Sequence, residues 1–100
     1  AMAEAHHIQI APHCYCGPIV GAANIQLAVT LPNFLILESL KQWDGFHARL
    51  LRRKIEWQDG HVIPSTEPGL GVELDEAVCE SHPWTGSQLH LEMAPAPLFP

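Results

Sequence analysis

The sequence predicts a fold of the α/β class, built around a strand–loop–helix–strand unit that spans residues 5–38. Two β-favouring runs mark the strands: residues 8–11 end at a proline, and residues 34–37 are continuously apolar. The segment between them is apolar on nearly every side and begins at Pro18. Proline suits the first position of a helix, because it has no N–H to lose there.

The helix predicted over about residues 18–31 and the strand over 34–37 both require cover. A helix that is apolar all round is covered on most of its sides. A continuous apolar strand is typical of a parallel sheet that is buried on both faces. Parallel strands need a right-handed crossover of about this length. We therefore expect the strands of residues 8–13 and 34–38 to run parallel, and we expect the chain alone not to form a closed domain.

The composition points to the same need for other protein. One hundred residues make at most one small domain. Hydrophobic residues make up 47% and charged residues only 16%, whereas a typical soluble domain has roughly 25% charged residues. The excess indicates surface that other protein covers. Residues 1–5 fit the last turn of a helix whose beginning is missing, so we expect the chain to be a fragment.

Charge and hydropathy exclude several classes of partner. The net charge is −6, and the basic residues cluster only between residues 49 and 54, where we expect the solvated face of a helix. This balance argues against a nucleic-acid partner. No apolar run approaches the roughly 20 residues that span a bilayer, and no signal peptide is visible. We expect a cytoplasmic protein without a membrane partner.

The second half of the chain predicts short elements. Residues 46–53 are compatible with two helical turns. Asp59 and Gly60 lie between two β-favouring runs, which is a strong signal for a hairpin. Asp75 is a plausible N-cap for a helix that continues through Glu80.

His13 and Glu38 each follow one of the two predicted strands, so a parallel pairing brings them to the same edge of the sheet. Imidazole titrates near neutral pH and can both give and take a proton. A carboxylate at a buried strand end can bind substrate hydroxyls. Both residues are therefore candidates for catalysis and for substrate binding. A structural His13 at a strand end, and a Glu38 that forms a salt bridge to a neighbouring loop, remain open alternatives.

A zinc site near the first strand is the weaker hypothesis. Cys14 and Cys16 lie close in sequence to His6, His7 and His13, but the spacing lacks the paired Cys-x₂-Cys element of a usual zinc site. Thiols that pack as small apolar groups are the better expectation. The chain has three cysteines, and an odd number argues against a secreted disulfide scaffold. We expect no metal to be bound by the residues of this chain.

Short motifs occur in a fixed order at the strand ends, the helix boundaries and the later turns: Ala11-Pro12-His13, Gly17-Pro18, Pro32-Asn33-Phe34, Glu38, Asp59-Gly60, Val62-Ile63-Pro64 and residues 68–75. This order resembles the end of the barrel in the enolase superfamily. It is most similar to the mandelate racemase branch and its acid-sugar dehydratases of the galactonate dehydratase kind.

The resemblance implies a modified TIM-type (β/α) barrel with an α+β capping domain. The chain would supply the last strand–helix–strand unit, with residues 1–53 as the last barrel strands and helices. Residues 54–100 would form a tail with a β-hairpin that packs on the barrel and returns to the capping domain. The implied partners are the remainder of the barrel, the capping domain, a small sugar-acid substrate and further copies in a homo-oligomer.

The resemblance also implies the chemistry. In the family, Mg²⁺ binds the substrate carboxylate and stabilises the enediolate that forms after the α-proton is removed. Its ligands would lie outside this chain. His13 matches a general acid or base, and Glu38 matches a residue that contacts the substrate. We expect part of an acid-sugar dehydratase, a hydro-lyase that eliminates the 3-hydroxyl as water, with the isolated chain inactive. The alternatives are a racemase or epimerase of the same superfamily, a catalytically inactive relative, and a stand-alone acidic binding or zinc module.

Overall fold

The computed structural model describes residues 1–83 and residue 85. The predicted tail of residues 54–100 lies partly outside this part of the chain. The elements that it contains are α1 (Met2–Ala5), α2 (Pro18–Ala28), a 3₁₀ turn (Lys41–Trp43), α3 (Phe46–Arg49), β1 (Leu51–Arg53), β2 (Glu56–Gln58), β3 (His61–Ile63), β4 (Glu73–Leu74) and α4 (Glu76–Ser81).

The two segments predicted as strands, which flank α2 in the sequence, meet side by side in a parallel direction but form a single bridge rather than regular strands. Ile10 and Phe34 form a parallel bridge. The Ile10 N–H donates to the Asn33 carbonyl at 2.8 Å, and the Leu35 N–H donates to the Ile10 carbonyl at 2.9 Å. This confirms the predicted direction. The pairing is limited to one bridge, because the other edge of each strand has no strand beside it in the described part of the chain.

Helix α2 begins at Pro18 as predicted and ends at Ala28, slightly before the expected boundary. Its inner face carries small and β-branched side chains, among them the buried Ala22 and Ile25. The helix also exposes Val20 and Leu27, which are 44% and 49% exposed. The all-round apolar character of the helix thus leaves apolar surface uncovered.

The extended segment of residues 34–37 is equally uncovered, because Leu35 and Ile36 are 56% and 62% exposed. The expectation that the apolar faces of this chain lack cover is therefore confirmed. Among residues 1–83 and 85, no helix is long and apolar enough to cross a membrane.

A small core forms where α2 meets the loops that follow the two strands. Cys14, Ile25 and Trp43 are buried against one another. The Trp57 ring of β2 lies 5.9 Å from the Trp43 ring, between centroids, at an angle of 44°. Trp43 lies in the core and Trp57 packs against it, so the large apolar surface of each ring is at least partly covered.

The predicted hairpin is confirmed. β2 and β3 pair antiparallel, with Trp57 opposite Val62 and Gln58 opposite His61. Asp59 and Gly60 both have positive φ, at 50° and 78°. Positive φ at both central residues is the mark of a type I′ turn, which matches the twist of the two strands and favours the sequence Asp-Gly.

The prediction of two helical turns over residues 46–53 is wrong in its second half. Helix α3 ends at Arg49, and β1 follows and pairs antiparallel with β4. The pairing with β4 adds contacts that a local helix would not make, since Arg52 lies 3.6 Å from Glu73 of β4. The basic cluster is therefore divided between a helix and a strand.

The end of the described chain follows its sequence signal. Helix α4 begins after Asp75, whose carboxylate accepts a hydrogen bond from the Val78 N–H at 3.3 Å. This is the N-cap interaction that satisfies one of the free donors at a helix start.

The exposed apolar faces predict how the isolated 100-residue chain behaves. We expect it to bind a hydrophobic dye such as ANS and to unfold without a cooperative thermal transition, because its core is small and its strands lack neighbours. Calorimetry and dye fluorescence measure both properties. A sharp transition with no dye binding would contradict the prediction.

Candidate active site

His13 and Glu38 lie in direct contact at one rim of the parallel unit. The distance from His13 Nδ1 to Glu38 Oε2 is 2.7 Å. The bridge between Ile10 and Phe34 sets the two chain segments side by side, so each side chain leaves its segment a few residues beyond the same point. The predicted closeness of the two residues is confirmed, whereas their catalytic and substrate-binding roles remain predictions.

The Cys14 backbone is a third member of the site. Its N–H donates to Glu38 Oε2, also at 2.7 Å. One carboxylate oxygen thus receives both a backbone donor and an imidazole. Within the described residues, Glu38 Oε1 has no hydrogen-bond partner, and the side chain is 48% exposed. This oxygen is free to accept a hydrogen bond from a ligand.

The electrostatics follow from these contacts. The Cys14 N–H holds the pKa of Glu38 below its ordinary value of 4.5, and the neighbouring His13 adds to this shift. A hydrogen bond to the charged form favours ionisation. Glu38 is therefore ionised at neutral pH. Burial raises the pKa of the Cys14 thiol, which is fully covered, so this thiol is protonated there.

The ionised carboxylate determines how His13 carries its protons. A carboxylate only accepts hydrogen bonds, so we infer that Nδ1 carries a hydrogen. The other nitrogen, Nε2, then holds a lone pair in neutral imidazole or a proton in imidazolium. The His13 side chain is 79% exposed. Nε2 is the atom that can exchange a proton with a ligand.

The cysteines do not form a metal centre. All three are free thiols, and Cys16 is exposed rather than packed in the core as expected. Only its backbone carbonyl contacts the core, where it accepts a hydrogen bond from the Trp43 indole N–H. Residues 1–83 and 85 hold no group of three or more His, Cys, Asp or Glu side chains that could bind a metal ion.

Magnesium does not fit the described residues either. Mg²⁺ needs several oxygen ligands in octahedral geometry. The carboxylate at the His13 rim belongs to Glu38, and its Oε2 already accepts hydrogen bonds from the Cys14 N–H and from His13 Nδ1.

The comparison with known families decides what kind of domain this is. The family described as enolase C-terminal domain-like matches residues 1–78. The chain belongs to this family. The predicted α/β class and the assignment to the barrel of the enolase superfamily are thereby confirmed.

Solved structures of the mandelate racemase/muconate lactonizing enzyme group share this fold segment with high identity. One, assigned to that group and from Labrenzia alexandrii DFL-11, is 59% identical with a TM-score of 0.84, and covers 91% of this chain and 24% of its own. Another, from Burkholderia SAR-1, is 55% identical with a TM-score of 0.85, and covers 97% of this chain and 24% of its own.

Among curated proteins, a D-galactonate dehydratase from Pectobacterium atrosepticum is 39% identical over 85 residues, which is 76% of this chain and 22% of the relative. The chain therefore spans about a quarter or less of the length of the relatives that it matches. The predicted membership in the mandelate racemase branch, with dehydratases among its relatives, is confirmed.

The sequence reasoning missed two contributors to the site's geometry. The Cys14 N–H is a backbone group and leaves no signature in the residue type. The other is Trp43, which donates its indole N–H to the Cys16 carbonyl at 3.1 Å. A signal for Trp43 did exist: Gly21 stands inside α2, where glycine is less favourable than alanine, which points to a packing role.

The depressed pKa of Glu38 is testable by carboxyl ¹³C NMR of the natural protein that carries this chain. We expect its titration midpoint below 4.5, with the Cys14 amide shift following the same curve. The interaction stabilises the fold above the unfolded pKa, and this contribution is lost as the pH falls through the lower folded pKa. Glu38→Gln identifies the resonance by removing it. A midpoint at or above the ordinary value would contradict the assignment of the hydrogen bond.

Proposed function

We propose that the chain contributes the proton-transfer rim of an acid-sugar dehydratase, a hydro-lyase that removes the proton α to a carboxylate and eliminates the 3-hydroxyl as water. The single observation that carries the proposal is the 2.7 Å contact between His13 Nδ1 and Glu38 Oε2 in a domain of this family. Relatives named D-galactonate dehydratase support a sugar acid as the substrate class.

His13 has the properties that the elimination requires. Hydroxide is a poor leaving group, so a 3-hydroxyl departs readily only if an acid protonates it as the C–O bond breaks. With Nδ1 directed to the Glu38 carboxylate, the ring is held so that Nε2 is the nitrogen that can carry a proton and give it up. The Nε2 proton goes to the leaving oxygen, water departs, and the electrons of the C–H bond become the new C=C bond. The enol then tautomerises to a 2-keto-3-deoxy acid.

Glu38 is proposed to act in two ways. Through Oε2 it orients His13 and balances the positive charge that imidazolium carries. Through Oε1, which no described residue engages, it accepts a hydrogen bond from a substrate hydroxyl. The Cys14 N–H keeps the carboxylate ionised and fixed while it does so.

The remaining functional groups belong to other parts of the proposed enzyme. The base that removes the α-proton and the carboxylate ligands of the Mg²⁺ used by this family are assigned outside this chain. When bound, that ion neutralises charge on the substrate carboxylate. We further propose that residues 1–53 close the barrel, that residues 54–100 pack on the barrel and capping domain, and that the enzyme is a cytoplasmic homo-oligomer.

Racemisation or epimerisation is the second candidate, because solved relatives belong to the mandelate racemase/muconate lactonizing enzyme group. In that reaction His13 would exchange a proton with the α-carbon rather than protonate a hydroxyl. Family membership favours both candidates over the stand-alone binding or zinc module.

Reaction in D₂O distinguishes the two candidates. The natural protein with Mg²⁺ is incubated with a panel of aldonic and aldaric acids and followed by ¹H NMR. A dehydratase converts a substrate to its 2-keto-3-deoxy product. A racemase or epimerase instead places deuterium at C2 of recovered acid without losing water. Absence of both changes across the panel would contradict the proposal.

His13→Asn is expected to lower turnover by about 10²–10⁴-fold, the usual contribution of a general acid. The fold should remain, because the side chain is largely exposed. His7→Asn is the matched control, since His7 is exposed and its left-handed φ of 56° suits asparagine. Turnover in the His13 variant equal to that of the control would contradict the assignment.

Glu38→Gln is expected to raise KM and to lower kcat together. The amide keeps the shape of the side chain but removes the negative charge beside His13, and its NH₂ group can replace an oxygen that accepts hydrogen bonds with a donor. Steady-state kinetics measure both constants. An effect on KM alone would limit Glu38 to substrate binding.

A further inference from the structure

We propose that Trp43 is a positioning residue for the His13–Glu38 pair, acting through its hydrogen bond to the Cys16 carbonyl. The inference deepens the proposed function and rests on it, because it assigns a purpose to the residue that joins the two loops of that site. Its geometry, however, can be tested without a substrate.

The contact joins the two segments that carry the site. The Trp43 indole N–H donates to the Cys16 carbonyl at 3.1 Å. Cys16 lies two residues beyond Cys14, whose N–H binds Glu38, and Trp43 lies five residues beyond Glu38. The two hydrogen bonds therefore connect the two segments into a closed ring of contacts. The ring runs from Glu38 along the chain to Trp43, across to Cys16, and back through Cys14 to Glu38.

The Trp43 ring is fixed from the other side by α2. The side chain is 2% exposed and packs in the core with Cys14 and Ile25. Its six-membered ring lies over Gly21, where an added methyl group would overlap the ring atoms. Any larger residue at position 21 would push the ring out of its place. The helix thus provides a slot that fits this one ring.

The backbone that leads from Glu38 to Trp43 contains an unusual turn. Lys41, Gln42 and Trp43 have φ values of 43°, 57° and 52°, so three consecutive residues other than glycine are left-handed. Such a conformation is unfavourable for L-residues and persists only when its surroundings enforce it. The buried ring and its hydrogen bond supply that enforcement, and the turn fixes the far end of the loop that follows Glu38.

Two substitutions make the same chemical change inside the same core. Trp43→Phe removes the indole N–H that binds Cys16. Trp57→Phe also removes an indole N–H and a ring from this cluster, but Trp57 Nε1 has no hydrogen-bond partner among the described residues. Trp57→Phe is therefore the matched control for lost packing. Both are made in the natural protein, with acid-sugar turnover and the Glu38 carboxyl ¹³C titration as readouts.

We expect Trp43→Phe to lower kcat by about three- to tenfold, the factor that corresponds to one lost neutral hydrogen bond. We also expect the Glu38 titration midpoint to rise, because a looser loop weakens the Cys14 hydrogen bond that depresses it. Trp57→Phe should lower the melting temperature but leave kcat and the Glu38 midpoint unchanged.

A second pair of variants covers the case in which Trp43→Phe does not fold. Gly21→Ala keeps the indole but displaces its ring, whereas Gly17→Ala adds the same methyl group where nothing lies within 4 Å and φ is −72°. We expect Gly21→Ala, and not Gly17→Ala, to raise the Glu38 midpoint and to lower kcat.

The outcomes separate the positioning role from the proposed function. If Trp43→Phe and Trp57→Phe change the midpoint and kcat equally, or if neither Trp43→Phe nor Gly21→Ala changes the midpoint, the positioning role is overturned. If the midpoint rises as expected while no acid sugar is turned over even by the unsubstituted protein, the positioning role stands and the proposed reaction fails.

Discussion

The site depends on one oxygen atom, Oε2 of Glu38, which receives the Cys14 N–H and His13 Nδ1 at 2.7 Å each. The backbone donor keeps the carboxylate ionised, and the ionised carboxylate sets which nitrogen of His13 is free. Because one donor belongs to the main chain, this arrangement depends on the path of the loop more than on the side chain at position 14. The parallel bridge upstream and the buried Trp43 downstream both serve to fix that path.

The rim that carries His13 and Glu38 rests on a small core, so we expect other protein to pack against this chain. Cys14, Ile25 and Trp43 form a buried cluster, while the outer faces of α2 and of residues 34–37 remain open. Such faces are typical of elements within a closed parallel barrel, where each strand has a neighbour on both sides and a helix covers it. The same apolar residues that leave this chain uncovered are those that would close a barrel and hold the rim in register.

Local signals in the sequence predicted much of this structure. Pro18 marked the start of α2, Asp59 and Gly60 marked the type I′ turn, and Asp75 marked α4, because each of these depends on neighbours in sequence. The strand β1 was missed, since its partner lies some twenty residues away and the local pattern of residues 46–53 also suits a helix. The closeness of His13 and Glu38 was predictable from parallel topology, whereas the Cys14 donor and the Trp43 contact were not.

The contacts that were predicted and those that were missed differ in whether a side chain or the backbone makes them. Glu38 is informative in the sequence because a charge after four apolar residues is unusual, and His13 because its residue type carries chemistry. A backbone N–H has no such label, and the left-handed turn over Lys41–Trp43 is built from residues that do not favour it. The reacting groups of the site can therefore be predicted from residue types. The groups that position them depend on the path of the backbone, which residue types do not show. Gly21 is the exception, because its missing side chain marks the place that the Trp43 ring occupies.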